Sequence, residues 1–501
     1  MASDGAFRAL VVNRGPGMEQ ILTDVRPATT ADRAVRALAA AACVGAVFWL
    51  NTRYVLAHFT QGASLLDTGW FAWIMASGDP WLTNPHAVSD MSYFNVHLTP
   101  YLSAVSVAVH AIGTDRFTAF AVHQGVVFAL VAASLCALVL TSWRGPRSGL
   151  LLAAVIVQVL LGDTTLQIAS FPHPEIAIIA FSLMGSVLWL NQRRGWALVP
   201  LALACLVRED GGLYMAAFMF ALGLLRPLGG RTWRSSEVAV GAAGVVIALM
   251  MFWIKAQFFP GFSAFAFNYS GHHWDHLSAD AMRLRLLAFV ANPQALTTIV
   301  PALLLAALSW RYLIFPALMT PIIVAQLLAA RAYLWQFNYY YALPFLVIWI
   351  GLMIVATVRA RQGAMRRIEA AVLLAAVLCG ASPVLLAAGQ INSMPVFTVP
   401  FVWPTENLEA ISKDAVAMAA DVPGACASAG VAAVAPQSFG PEQVLDPDVS
   451  VARCRTVLLY RSDAFYPILT WQVAAWPHGP RIDGHLQRFD RPDWLMMGTR
   501  P

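Results

Sequence analysis

The stretch EVAVGAAGVVIALMMFWI, residues 237–254, decides what kind of protein this is. A single charge opens it and none follows. As a helix it would rise about 27 Å at about 1.5 Å per residue, close to the roughly 30 Å of a hydrocarbon core. A helix apolar on every side needs apolar neighbours all round, and a bilayer supplies them. AVRALAAAACVGAVFWL, residues 34–50, is a second stretch of this kind. Of the 501 residues 59% are hydrophobic and only 12% charged, with a mean hydropathy of +0.63. A soluble chain carries roughly 25% charged residues. The expectation is a polytopic membrane protein, all-α in its membrane part, with about 10–12 membrane helices of about 20 residues each.

Outward from these spans, the charges fall in short connections: WRGPRSG (143–149), NQRRG (191–195), RPLGGRTWR (226–234) and RARQGAMRR (359–367). Arginine-rich short loops face the cytoplasm, so the net charge of +5 reflects topology and gives no reason to invoke nucleic acid. Residues 1–33 form a polar cytoplasmic tail, and with no cleavable signal evident the first span reads as an uncleaved anchor. Residues 34–390 then form the membrane domain, with outer loops at 59–98 and 257–292. The run 99–113 is short for a span and reads as a helix on or dipping into the outer face. The short segments 196–207 and 211–225 flank VREDGG (207–212) and read as a hairpin whose tip lines a cavity, since irregular polar backbone at depth survives only there.

After residue 391 the pattern changes to short strands between turns, an extracytoplasmic α/β domain covering 391–501. It holds Cys426 and Cys454, candidates for a disulfide in an oxidising compartment, with two separate thiols as the alternative.

The unusual polar residues gather on the outward side: Asp67 in LLDTGW, His97 in HLTP, His173 and Glu175 in FPHPEI, Arg208, Glu209 and Asp210 in VREDGG, and Tyr340 in NYYY. Each has a plainer reading. Asp67 is placed to cap a helix, and His97 to begin one. Pro174 and Glu175 suit a first helical turn, the three adjacent charges neutralise one another, and NYYY suits an interfacial aromatic belt. GHHWDH supplies metal-ligand residue types in His272, His273, Asp275 and His276, a weak candidate site for a divalent ion. Phosphate loops, HExxH, G-x-S-x-G and dinucleotide fingerprints are missing from the sequence.

The order LLDTGWF, HLTP, FPHPE, VREDGGL, FVANPQAL, NYYYALPFLVIWI resembles the bacterial membrane proteins of domain-of-unknown-function family 2079, over about residues 60–350. One departure is that Asn338 stands where that family's last motif usually begins with His-Tyr. The family is similar to the GT-C superfamily of integral membrane glycosyltransferases. The resemblance implies a GT-C-like helical bundle in a bacterial inner membrane, with the N-terminus cytoplasmic and the C-terminal domain outside. It implies transfer of a sugar from a polyprenyl-phosphate donor to an envelope glycan, lipid or protein, with Asp67 as the acid of the first outer loop.

In such a reaction a base takes the acceptor's proton and cations stabilise the departing phosphate. Asp67 suits the first role and Arg208 the second, oriented by Glu209 or Asp210. His97 and His173 suit hydrogen bonding to sugar or phosphate, or holding a divalent ion with Glu175. The competing expectation is a transporter or flippase with the same residues along its pathway. It is disfavoured by the absence of an evident repeat and by the charges crowding to one side.

Overall fold

The computed structural model describes residues 30–60, 67–82, 92–114, 116–142, 162–169, 172–225, 235–260, 276–337, 339–362, 364–380, 405–428, 456–460, 487–488 and 494–498, with a few isolated positions between them. The apolar runs form helices. α1 (Thr30–Thr60) lies along α4 (Arg116–Ser142), while α2 (Asp67–Ala76) packs on α3 (Pro100–Ile112) and α4. After α5 (Asp163–Ala169) come three short helices packed as a set, α6 (Ile176–Leu190), α7 (Arg194–Val207) and α8 (Gly211–Leu225). α9 (Ser235–Phe258) runs against α8. α10 (Ala279–Ala291), α11 (Pro293–Ala306), α12 (Ile314–Leu328), α13 (Ala332–Trp335), α14 (Leu343–Arg361) and α15 (Arg367–Gly380) complete the bundle.

α14 is its axis. Every residue from Leu343 to Arg359 is buried, and the helix touches α4, α5, α11 and α12. α9 is its opposite, presenting Val246, Leu249, Met250, Phe252 and Trp253 to the outside. A face that apolar is costly against water and at ease against lipid.

Among the described residues, five helices are long and apolar enough to cross a membrane: Ala31–Leu56, Arg116–Thr141, Ser236–Phe258, Trp310–Leu328 and Tyr340–Arg361. The pair α10–α11, bent by 71° at Asn292, makes a sixth if counted as one broken span. These helices support a membrane protein. The expectation of about 10–12 membrane helices is met only in part, because α3, α6, α7 and α8 are apolar but have 13, 15, 14 and 15 residues.

Local chemistry sets the ends. Thr99 caps α3 by accepting from the Leu102 N–H, Pro100 takes the first turn, and Gly113 closes it in the left-handed region at φ 72°. Asn292 ends α10 and caps α11, accepting from Ala295 N–H just before Pro293. The bend thus has a cause in two residues.

Where α14 turns into α15, Arg359 meets Glu369 side-on, Nε to Oε2 at 2.8 Å and Nη2 to Oε1 at 2.7 Å. Tyr312 donates to the same carboxylate at 3.0 Å, and the remaining Arg359 bonds go to Ser309 Oγ and Ala364 O.

At the C-terminal end, α16 (Thr405–Asp421) accompanies a five-stranded sheet in the order β2-β1-β3-β5-β4. The strands are β1 (Cys426–Ser428), β2 (Val444–Leu445), β3 (Thr456–Tyr460), β4 (Gln487–Arg488) and β5 (Trp494–Gly498). β1 runs parallel to β2 and β3, while β5 is antiparallel to β3 and β4. Ala415, Met418, Ala427 and Leu458 join the apolar cluster built on Leu56, Phe71, Ile74 and Phe120, so this end packs on the α1–α2 end of the bundle. Cys426 is disulfide-bonded. Cys454 lies outside the described residues.

Candidate functional site

Three connections and one half-buried tyrosine bring seven side chains together. The α7–α8 turn is the hub. Gly211 and Gly212 make it possible, since a Cβ on Gly211 would sit 2.2 Å from Ala204 O and one on Gly212 at 2.2 Å from Gly244 O of α9. With hydrogen atoms there instead, the turn lies close against α7 and α9, and Glu209 is directed away from the paired Arg208 and Asp210.

Arg208 grips Asp210 side-on, Nε to Oδ1 at 2.7 Å and Nη2 to Oδ2 at 2.5 Å, and donates from Nη1 to Glu175 Oε1 at 3.3 Å. Glu175 accepts from His173 Nδ1 at 2.6 Å. Glu209 turns the other way, accepting from His97 Nδ1 at 2.9 Å and from the Leu98 backbone N–H at 3.0 Å. Ionised carboxylates only accept, so in both imidazoles Nδ1 carries the shared proton. The product is two imidazole–carboxylate pairs with a guanidinium between them, an arrangement that leaves each Nε2 as the working nitrogen for moving a proton.

His173 is held from two sides. Tyr340 stacks on it at 4.0 Å between ring centroids and an interplanar angle of 23°, and Phe71 of α2 meets it edge-on at 4.6 Å. Tyr340 donates to the Tyr341 hydroxyl at 2.5 Å. Depth is graded across the site: the side chains of Glu175 and His173 are 3% and 7% exposed, those of His97 and Asp210 23% and 24%.

Burial alone would push the Glu175 and Glu209 carboxyls up; His173 and Arg208 around the first, and His97 and Arg208 around the second, reverse this and hold both below the ordinary range. For Arg208 burial works downward, and the carboxylates of Asp210, then Glu175, then Glu209 outweigh it, holding the guanidinium well above its usual value. Three carboxylates surround one guanidinium here, and two of them are also paired to imidazoles.

The plainer expectations shift accordingly. The α6 helix starts at Ile176 with Pro174 and Glu175 in the turn before it, and Glu175 makes no side-chain cap bond. Its carboxylate is directed to His173 and Arg208 instead. His97 does not start a helix, because Thr99 and Pro100 do. The adjacent charges 208–210 neutralise only in part, since Glu209 pairs across to His97.

Asp67 is the first residue of α2; its side chain lies outside the described residues, as do His272, His273 and Asp275. His276 sits in a short turn before α10. Among the described residues no group of three or more His, Cys, Asp or Glu is arranged to hold a metal ion. Phe71 and the Leu98 amide were not legible as site members. A four-residue step from Asp67 on one helix face was the available signal for Phe71; a backbone amide leaves none.

No family model, curated protein or solved structure matches the chain.

Proposed function

We propose that this chain is a glycosyltransferase-like membrane enzyme of the GT-C kind, moving a sugar from a polyprenyl-phosphate carrier to an acceptor in the bacterial envelope at the outer face of the inner membrane. One observation supports this most: seven polar side chains from separate connections meet in one network with paired imidazoles and carboxylates around an arginine. Sugar transfer from a phosphate needs a base for the attacking hydroxyl and a cation for the leaving oxygen. Arg208 uses three of its five N–H donors on Asp210 and Glu175, and the remaining two can reach a phosphate. Asp67, one helical turn before Phe71 on α2, is assigned as base. The His97–Glu209 pair is a second group able to take that proton.

The test is a mass-spectrometric comparison of envelope glycans and lipid-linked sugars in a deletion strain carrying either the wild type or Asp67→Asn. A sugar that appears only with the wild type is expected. Equal complementation removes Asp67 from the mechanism, and the same comparison with Glu209→Gln then asks whether His97 serves instead.

A second reading, a transporter or flippase of a lipid-linked or small polar substrate, is favoured by the 71° break between α10 and α11, because discontinuous helices line transport sites. Translocation of substrate in vesicles, without any change in its glycosidic bonds, would select it.

A further inference from the structure

Where the α11–α12 connection faces the α14–α15 turn, an open groove of ≈ 660 Å³ is lined by Ser309, Trp310, Arg311, Arg359, Gln362 and Ala364. It shares no residue with the network around Arg208. Two arginines line it, and they differ in what they have left to give. Arg359 is neutralised by the fully buried carboxylate of Glu369. Arg311 is half-buried, and its guanidinium makes one hydrogen bond, Nη1 to Gln362 Oε1 at 3.0 Å, with no carboxylate partner among the described residues. Four N–H donors of a permanently charged, planar group therefore border the groove unspent, and Gln362 fixes the group's direction. Arg366 and Arg367, both exposed, follow Ala364 by two and three residues.

The groove has an apolar rim. Trp310 is 59% exposed beside Arg311, and Leu303, Leu304 and Leu313 are exposed on the helices leading in and out. Tryptophan next to arginine at the end of apolar helices is the chemistry of a membrane interface, and arginine clusters there attract anionic lipid.

We infer that this groove binds a phosphate-bearing anion through Arg311, and that the anion is the headgroup of an anionic phospholipid. The guanidinium fork matches two phosphate oxygens, Trp310 lies at headgroup depth, and the exposed leucines take the acyl chains. The inference is independent of the proposed enzymatic reaction, since it uses none of that site's residues.

The test is native mass spectrometry of the purified full chain in detergent, titrated with phosphatidylglycerol, with phosphatidylcholine, or with inorganic phosphate. Retention of phosphatidylglycerol over phosphatidylcholine is expected. Arg311→Gln should weaken it about tenfold, the scale of one charge-assisted contact. Arg311→Lys should restore part of the loss, and Arg283→Gln, an exposed arginine on α10, should change nothing. Unfolding temperatures of all four proteins report whether they are folded. Competition by millimolar inorganic phosphate would move the source of the anion from lipid to solution. Equal retention of both lipids, or binding indifferent to Arg311→Gln in a folded protein, would overturn the site.

Discussion

Two arginines, the half-buried Arg208 and the buried Arg359, make opposite uses of the same fork. Arg359 faces one carboxylate, Glu369, whose second demand is met by Tyr312, and its other donors end on Ser309 and a backbone carbonyl. The charges cancel and the donors are nearly all used. Arg208 stands among three carboxylates, two of which are paired to imidazoles, so the charges around it do not cancel one to one. A balanced pair of this kind joins α14 to α15. An unbalanced one costs more to bury, and in the proposed reaction it sits where charge has to change.

The comparison is broken most directly by Arg208→Leu against Arg359→Leu. Each leaves a buried carboxylate, Glu175 or Glu369, without its cation, and each should lose about 3–5 kcal/mol in chemical denaturation. Of the folded protein that remains, only the Arg208 variant should lose the proposed transfer of sugar from the lipid-linked donor to the envelope acceptor. Equal activity in both would make Arg208 another structural pair.

Gly212→Ala strains the turn that carries Arg208. The new methyl would lie 2.2 Å from a backbone oxygen that cannot rotate away, so α9 must shift. A gain in helix propensity of about 1 kcal/mol should be outweighed by an overpacking cost of about 1–3 kcal/mol, read as a lowered midpoint of unfolding. Tyr312→Phe removes one bond to a charged group and should cost about 1.5–3 kcal/mol with product formation intact.

Acid sharpens the contrast further. Glu209 is held below its ordinary range in the folded chain, so its stabilisation is complete above the unfolded value near 4.5 and is lost as pH falls through the depressed folded one. Stability of the wild type should therefore fall more steeply below about pH 4.5 than that of Glu209→Gln, measured by thermal unfolding across pH. Smallest is Tyr340→Phe, which keeps the stack on His173 and loses the hydroxyl contact to Tyr341, about 0.5–1.5 kcal/mol.

Much of the helical plan was legible because lipid enforces long apolar runs and glycine, proline and asparagine mark their ends. VREDGG was readable as a turn between short helices, and its glycine pair explains why it can lie so close to α7 and α9. The gathering of His97, His173, Glu175 and residues 208–210 could be suspected from topology, since charges placed at the same ends of neighbouring helices have few other places to go. Pairings were another matter. Nothing in VREDGG says that Asp210 folds back on Arg208 while Glu209 crosses to His97, because that choice is made by a turn geometry which adjacent residues share. The Arg359–Glu369 pair was missed although a lone glutamate in RRIEAAVLLAAV was a fair sign of a buried partner. The number of spans was less legible, because α6, α7 and α8 stop at 14 or 15 residues and five helices among the described residues are long enough to span by themselves.

That shortness has a consequence for the surrounding lipid. A 14-residue helix such as α7, which presents Trp196, Leu198, Val199 and Leu206 to the outside, is about 21 Å long, some 9 Å less than an average hydrocarbon core, and a bilayer around it would have to thin toward it at a cost of fractions of a kcal/mol per Å. Thinning would draw headgroups toward the ends of α7, and Arg208 follows directly on one of them. In the proposed transfer, a carrier lipid arriving from the side would then present its phosphate near Arg208 without its chain leaving the membrane. The protein should accordingly work best in thin bilayers, and reconstitution into lipids of increasing chain length should slow it step by step.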